Sequence, residues 1–266
     1  MTDLTRDNPA DDNLASKFYD NFWRKSGDKL NYAEMFRIHF ITKNIKRFAH
    51  SQSLKILDYG CGKGWMAPFL AQWGHVTGVD FGPAGIEIAK RNYGHIARFL
   101  LLDANGQNKE LALLFNDFDV VVCSEVIEHA RDQLAFLKNL FGFLKSNGYC
   151  ILTTPNGLMW PKYKTREAFL RRSLRIESYL QPVENWRTPN ELVDLFQKAN
   201  FTVLNHEGII SHQIGMPPWG NFIKLEWHLY HLLQRFNKHD QYSQALLKSS
   251  LYQCIIGQKK VNIVYD

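Results

Sequence analysis

Three carboxylates, each closing a short apolar run, and one histidine in an acid-rich loop are the side chains of this sequence best placed to do chemistry. Asp58 follows the run Leu54 to Leu57 and leads into the turn Gly60-Cys61-Gly62-Lys63-Gly64. Asp80 closes the run that begins at Val76, and Asp103, followed by Ala104, closes the run from Ala97 to Leu102. Glycines suit a turn between a strand and a helix because a side chain would clash with a ligand there or forbid a positive φ. Asp58 is placed to meet a cation rather than a phosphate. Asp80, about twenty residues past the glycines, can accept both hydroxyls of a ribose. Asp103, with Ala104, can take the exocyclic amine of an adenine. The ligand these residues describe has a cationic end, a ribose and an adenine, and no phosphate.

The histidine is His129, at the end of Ser124-Glu125-Val126-Ile127-Glu128-His129, directly after a fourth apolar run. In an open α/β sheet such a loop lies at the strand ends where ligands bind. His129, with Glu128 beside it, is the candidate general base. The competing reading is that both residues cap and pack the helix that follows.

These groups need a scaffold that brings strand ends together. Alternating strand and helix signals from 54 to 154 predict a doubly wound α/β fold with a mostly parallel, Rossmann-like sheet. The apolar spacing after the glycine turn predicts a helix from Trp65 to Trp73. Residues 1–50 are expected to form a polar tail and lid helices. Residues 51–260 form the main domain, with helical insertions at 157–187 and 211–250 after the fifth and sixth strands. In the second insertion Phe222, Leu225, Leu229, Leu232 and Leu233 have helical spacing and are read as core contact, with a homodimer contact as the alternative. Trp219, Trp227, Tyr230, Phe236 and Tyr242 add to its aromatic character, and Pro217-Pro218-Trp219-Gly220 puts an indole on a turn.

In order along the chain, LDYGCGKG (57–64), GVDFG (78–82), LLDANG (101–106), FDVVVCSEVIEH (118–129), NGYCILTTPN (147–156) and TPNELVDLFQKANFTVLNHEGI (188–209) resemble the motifs of class I S-adenosylmethionine (SAM)-dependent methyltransferases. The pattern is most similar to the ubiquinone-biosynthesis O-methyltransferase-like group. The resemblance implies a seven-stranded sheet, SAM as cofactor with S-adenosylhomocysteine as product, and methylation of a small-molecule, sugar or lipid-linked oxygen in a biosynthetic pathway. It further implies cofactor contacts from Gly60, Gly62, Gly64, Ser124 and Glu125, a lid residue Arg37 for the methionine carboxylate, and Phe81 beside the adenine. Tyr19 and Trp23 either close over the cofactor or pack their helix. A nicotinamide dehydrogenase fits worse, because its third glycine would fall on Trp65. Glu125, Glu128 and His129 also match an E-x-x-E-H pattern of metal-dependent relatives. The further histidine of those relatives falls on Gln181, so no metal is assigned.

The bulk properties limit the rest. A chain of 266 residues with 45% hydrophobic content is long enough for one large α/β domain with insertions or two small domains, and no apolar stretch reaches transmembrane length. The polar start is unlike a signal peptide. Cys61, Cys123, Cys150 and Cys254 lack metal-ligand spacing and are expected to be reduced and buried, hence a cytoplasmic protein. Within the net charge of +6, Lys162, Lys164, Arg166, Arg171, Arg172 and Arg175 face Glu167 alone over residues 157–175 of the first insertion. This stripe is either a solvated helix face or a contact for an anionic acceptor. A nucleic-acid substrate, as in an RNA 2′-O-methyltransferase, is the weaker alternative, because no RNA-binding module accompanies the domain. A SAM-binding protein without activity is a third reading, which the intact acids disfavour.

Overall fold

The computed structural model describes residues 23–24, 30–48, 53–103, 108–161, 164–165, 184–211, 223–235 and 239–260. Tyr19, Ala104, Gln181, Trp219, Phe222, Phe236 and every member of the basic stripe except Lys164 lie outside them.

The elements follow in the order α1 (Tyr32–Phe48), β1 (Leu54–Tyr59), α2 (Ala67–Leu70), β2 (Gly74–Asp80), α3 (Pro83–Tyr93), β3 (Ala97–Leu101), α4 (Lys109–Ala112), β4 (Phe118–Ser124), α5 (Gln133–Phe143), β5 (Leu144–Pro155), α6 (Pro189–Lys198), β6 (Thr202–Ser211), α7 (Ile223–Arg235), α8 (His239–Leu246) and β7 (Ser250–Gln258). The seven strands form one sheet in the order β3-β2-β1-β4-β5-β7-β6. Strands β1 to β5 pair in parallel, while β7 runs antiparallel between β5 and β6. This is the expected mostly parallel, seven-stranded, Rossmann-like arrangement.

Alternate residues of the central strands feed two apolar layers, as a sheet covered on both faces requires. On one side Leu57, Val121, Cys123, Leu152 and Ile255 pack with Leu137 and Leu140 of α5 and Phe196 of α6. On the other, Ile56, Val120, Val122, Ile151 and Ile256 pack with Phe36, Phe40, Ile41 and Ile45 of α1. The helices start where their sequences say they should. Asp132 caps α5 by accepting from Ala135 N–H at 2.9 Å, and Thr188 and Glu191 form a reciprocal capping box on α6. All four cysteines are buried and free. Among the described residues no helix is long and apolar enough to cross a membrane.

Two expectations change. The helix after the glycine turn is shorter than its apolar spacing suggests: Ala67–Leu70 is α-helical, and Ala71–Trp73 tightens to a 3-10 turn. Gly74 ends it at φ 151°, where a Cβ would lie 2.1 Å from the Leu54 carbonyl oxygen, so the chain enters β2 at once. In α7 the leucine row is not core contact. Leu225, Leu229 and Leu232 are 59%, 39% and 48% exposed, whereas Tyr230 is 1% exposed. The helix instead turns Trp227 and Tyr230 toward α1, where Phe36 meets Trp227 edge-on at 4.8 Å and Phe40 meets Tyr230 at 5.3 Å. Phe36 meets both rings edge-on, Trp227 at 89° and Tyr230 at 69°, a favoured arrangement for aromatic pairs, while Phe40 lies tilted against Tyr230.

Candidate active site

The strand order reverses direction between β1 and β4, and there the site is built. Their register sets Tyr59 opposite Cys123, so the turn after β1 and the loop after β4 leave the sheet side by side. Gly60, Gly62 and Gly64 have φ of 83°, 51° and 74°, a region that L side chains rarely adopt. Space excludes a side chain as well: a Cβ on Gly60 would lie 2.2 Å from Val126 Cγ2 in the neighbouring loop, and one on Gly62 would meet the Trp23 ring at 2.5 Å. Asp80 fastens the turn from the side. Its carboxylate accepts from Gly62 N–H at 2.9 Å and from Gly82 N–H at 2.7 Å. A carboxylate has about four acceptor positions, so capacity for ribose hydroxyls remains. Asp58, buried beneath the turn, has its carboxyl pushed up to about 7 by burial and then by the Asp80 charge.

The β4 loop brings the acids and the histidine. Glu125 sits at φ 59°, an uncommon conformation for a non-glycine residue, held by its N–H to the Thr153 carbonyl at 2.9 Å. Ser124 shares a hydrogen bond with the Thr153 hydroxyl at 2.9 Å, and that hydroxyl donates to Glu125 at 3.1 Å. Burial pushes the Glu125 carboxyl up to about 8, although the Arg37 guanidinium, 3.5 Å away, draws it back down. Water reaching 19% of the side chain limits that rise. Glu128 is held by the Thr154 hydroxyl at 2.9 Å, and burial raises its carboxyl to about 7. His129 follows on a 3-10 turn, with Nε2 3.8 Å from Glu128 Oε1. That separation exceeds a hydrogen bond but suits an ion pair once the imidazole is protonated.

One cavity of about 360 Å³ collects Arg37, Gly60, Asp80, Phe81, Ser124, Glu125, Glu128 and His129 from the sequence-predicted set. Trp23 and Val126 line it too. Asp58, Gly62 and Gly64 lie behind this lining rather than in it. Asp103 is exposed just past the end of β3, also outside the lining. Arg37, expected to pair with a methionine carboxylate, faces Glu125, and its buried Nε has no hydrogen-bond partner among the described residues. Among the described residues no three His, Cys, Asp or Glu side chains are grouped so that they could hold a metal ion.

Several lining residues escaped the sequence reading. Glu34 comes from α1, Trp160 from the turn after β5, Glu184 from the end of the first insertion and Tyr252 from β7. The Trp160 and Tyr252 rings are 5.1 Å apart, and the Arg37 guanidinium lies 5.4 Å from the Tyr252 ring centre. Only Glu184 left a signal, standing three residues from Gln181, where the resemblance directed attention. Tyr252 reaches the cavity because β7 pairs it opposite Pro155, a contact across about a hundred residues that local spacing does not encode.

Comparison with known proteins fits this construction. The family described as "Methyltransferase domain" matches residues 32–206. The chain is 30% identical over 226 residues to the ubiquinone biosynthesis O-methyltransferase of Rickettsia typhi, covering 80% of this chain and 84% of that protein. The Rickettsia prowazekii protein of the same name is also 30% identical, with 80% and 82% covered. Among solved structures, the magnesium protoporphyrin IX methyltransferase of Synechocystis, holding S-adenosylhomocysteine, superposes with a TM-score of 0.57 at 12% identity, over 94% of this chain and all of that one. The 1,6-didemethyltoxoflavin-N1-methyltransferase of Burkholderia thailandensis, with S-adenosylhomocysteine bound, gives 0.55 at 14% identity, over 98% and 93%. The chain belongs to the methyltransferase-domain family. It is a SAM-dependent methyltransferase, and the glycine cradle with its buried acids fits that cofactor.

Proposed function

We propose that this enzyme methylates a hydroxyl oxygen of a small or lipid-linked acceptor in a biosynthetic pathway, with His129 as the general base. The observation that carries the reading is the placement of Glu128 and His129 on the wall of the cavity that also holds Asp80 and the glycine turn. When bound, SAM supplies an electrophilic methyl group on a sulfonium. The chain's residues hold and orient. Asp80 and the turn would hold the ribose, Phe81 would lie against the adenine, and Asp103 would meet its amine. Asp58, Ser124 and Glu125 border the methionine end, where Arg37 takes the carboxylate.

The acceptor enters from the Trp160 and Tyr252 side. His129 would take the hydroxyl proton as the acceptor oxygen bonds to the methyl carbon and the carbon–sulfur bond breaks, with neutral S-adenosylhomocysteine as the leaving group. Glu128 would stabilise the imidazolium that results. Orientation does the rest, since the acceptor oxygen must be held about 3 Å from the methyl carbon. We place the protein in the cytoplasm, a reading supported by its four free, buried cysteines. The exposed row Leu225, Leu229 and Leu232 supports a homodimer contact, which sedimentation at two concentrations tests.

The test of the mechanism is His129→Ala. With hydroxylated acceptors that release S-adenosylhomocysteine in the wild type, kcat should fall by about 10²–10⁴-fold while SAM affinity holds. Unchanged turnover would remove the base from His129 and leave orientation as the whole mechanism.

A further inference from the structure

Resting on the reading of this cavity as the acceptor site, we infer that the site excludes negative charge beside the methylated hydroxyl, and that Glu184 is the residue that sets this specificity. The neighbouring group of the acceptor is an uncharged hydroxyl or an ammonium, and it donates a hydrogen bond to Glu184.

The charges on the acceptor side carry the argument. Glu34, Glu125, Glu128 and Glu184 line the cavity, against Arg37, Lys63 and Lys164 and the titratable His129. Arg37 faces Glu125 at 3.5 Å, Lys164 faces Glu184 at 3.4 Å, and Lys63 belongs to the glycine turn on the cofactor side, where it too is engaged. Glu34 is occupied at the start of α1, where it accepts from Asn31 N–H at 2.7 Å. Among the described residues Lys164 alone pairs with Glu184, and one lysine cannot fill a carboxylate's acceptor positions. The Glu184 charge is felt along the same wall, where it helps to raise the Glu128 carboxyl. A carboxylate or phosphate entering beside Glu184 would therefore meet like charge with no unengaged cation nearby among the described residues. Like charges brought together in a site of this kind discriminate strongly.

The position of Glu184 is built. Its neighbour Asn185 donates its backbone N–H to the Glu128 carbonyl at 2.7 Å. Buried Gln133 donates to the carbonyls of Asn185 at 2.7 Å and Ile127 at 3.0 Å, and its oxygen accepts from Arg187 Nε at 2.6 Å. The strand-like bridge between Asn156 and Arg187 pins the same segment to the end of β5. Glu184 and the turn carrying Glu128 and His129 are thus held as one wall. Across the cavity, Trp160 and Tyr252 provide an apolar surface for the acceptor's body.

The inference is tested with the full-length protein saturated with S-adenosylhomocysteine and three probes of one shape: 2-hydroxybenzyl alcohol, 2-hydroxybenzylamine and 2-hydroxybenzoate. Dissociation constants are read by ligand-observed NMR. The alcohol and the amine should bind at least about tenfold more tightly than the benzoate. Glu184→Gln should bring the three within about threefold, and Glu184→Lys should reverse the order, while S-adenosylhomocysteine affinity stays unchanged in both. Equal or tighter binding of the benzoate to the wild type overturns the inference, as does a preference that survives both variants. Failure of all three probes to bind at millimolar concentration overturns it too. Failure of S-adenosylhomocysteine itself to bind would instead strike the methyltransferase reading.

Discussion

The cavity has two halves made from different material. The cofactor half is mostly backbone: a positive-φ glycine turn, fastened by Asp80 through two N–H groups and seated over buried Asp58. The acceptor half is nearly all side chain, drawn from α1, the β4 loop, the end of the first insertion and β7. A backbone cradle constrains its own sequence closely, because few residues tolerate the dihedrals and the close approach. A wall of side chains can be exchanged residue by residue without disturbing the sheet. That difference lets one fold keep its cofactor while its acceptors vary.

The sharpest way to break this comparison is Asp80→Ala. In the cofactor half one carboxylate serves two purposes, so its removal should weaken SAM binding by about 1.5–3 kcal/mol, the scale for lost charge-assisted hydrogen bonds. It should also loosen the glycine turn, because the N–H groups of Gly62 and Gly82 lose their acceptor. Calorimetric titration reads the first effect and proteolytic susceptibility near residue 62 the second. A variant that binds SAM normally would show that the turn holds the cofactor without Asp80.

Next in size is a pH effect centred on Asp58. Its folded carboxyl is raised to about 7, so burial favours the protonated form. A cationic cofactor end beside it favours the ionised form, so binding below pH 7 must expel a proton. SAM affinity should therefore fall below pH 7, by up to about tenfold per unit, and level off above it. Stability without ligand runs the other way. A carboxyl whose folded pKa lies above its unfolded value favours the fold at low pH and loses that contribution as pH rises through about 7. Glu128, raised for the same reason, adds to that loss. The SAM-induced rise in Tm should thus grow from pH 6 to pH 8 while the Tm of the free protein falls. In Asp58→Asn the ligand-induced shift should lose its pH dependence.

The same division explains what was legible in the sequence. Gly60, Gly62, Gly64, Asp58 and Asp80 lie within about twenty residues of one another, and their types follow from local geometry. Strands β1 to β4 were legible as apolar runs bounded by turn residues, whereas β6, with Asn205, His206 and Glu207 in its middle, was legible only through the resemblance. Helical periodicity, by contrast, marks an apolar stripe without saying which stripe meets the protein. In α7 two stripes compete. The row Leu225, Leu229, Leu232 has the cleaner spacing, yet Trp227 and Tyr230 are buried because α1 offers Phe36 and Phe40 opposite them. Similarly, nothing near Tyr252 announces the cavity; its place is fixed by the antiparallel insertion of β7 between β5 and β6. Arg37 was legible as a lid residue for a carboxylate, but not its burial against Glu125, which comes from an element nearly ninety residues away.

The smallest expected effect tests where the cofactor half ends. Asp103 was read as the adenine acid on the strength of its place after β3. The structure sets it just past that strand, exposed and outside the cavity's lining, while Asp80 is buried and already bonded. A hydrogen bond from an amine to an exposed carboxylate competes with water on both sides, so it is worth about 0.5–1.5 kcal/mol at most. Asp103→Ala should accordingly weaken SAM binding by less than Asp80→Ala does, within about tenfold in Kd, with no change in the pH dependence that Asp58 confers. Asp103→Asn, which keeps an acceptor oxygen, should recover most of that loss. If Asp103→Ala instead matches Asp80→Ala, the adenine end is as tightly built as the ribose end, and the boundary between the two halves lies beyond β3 rather than at it.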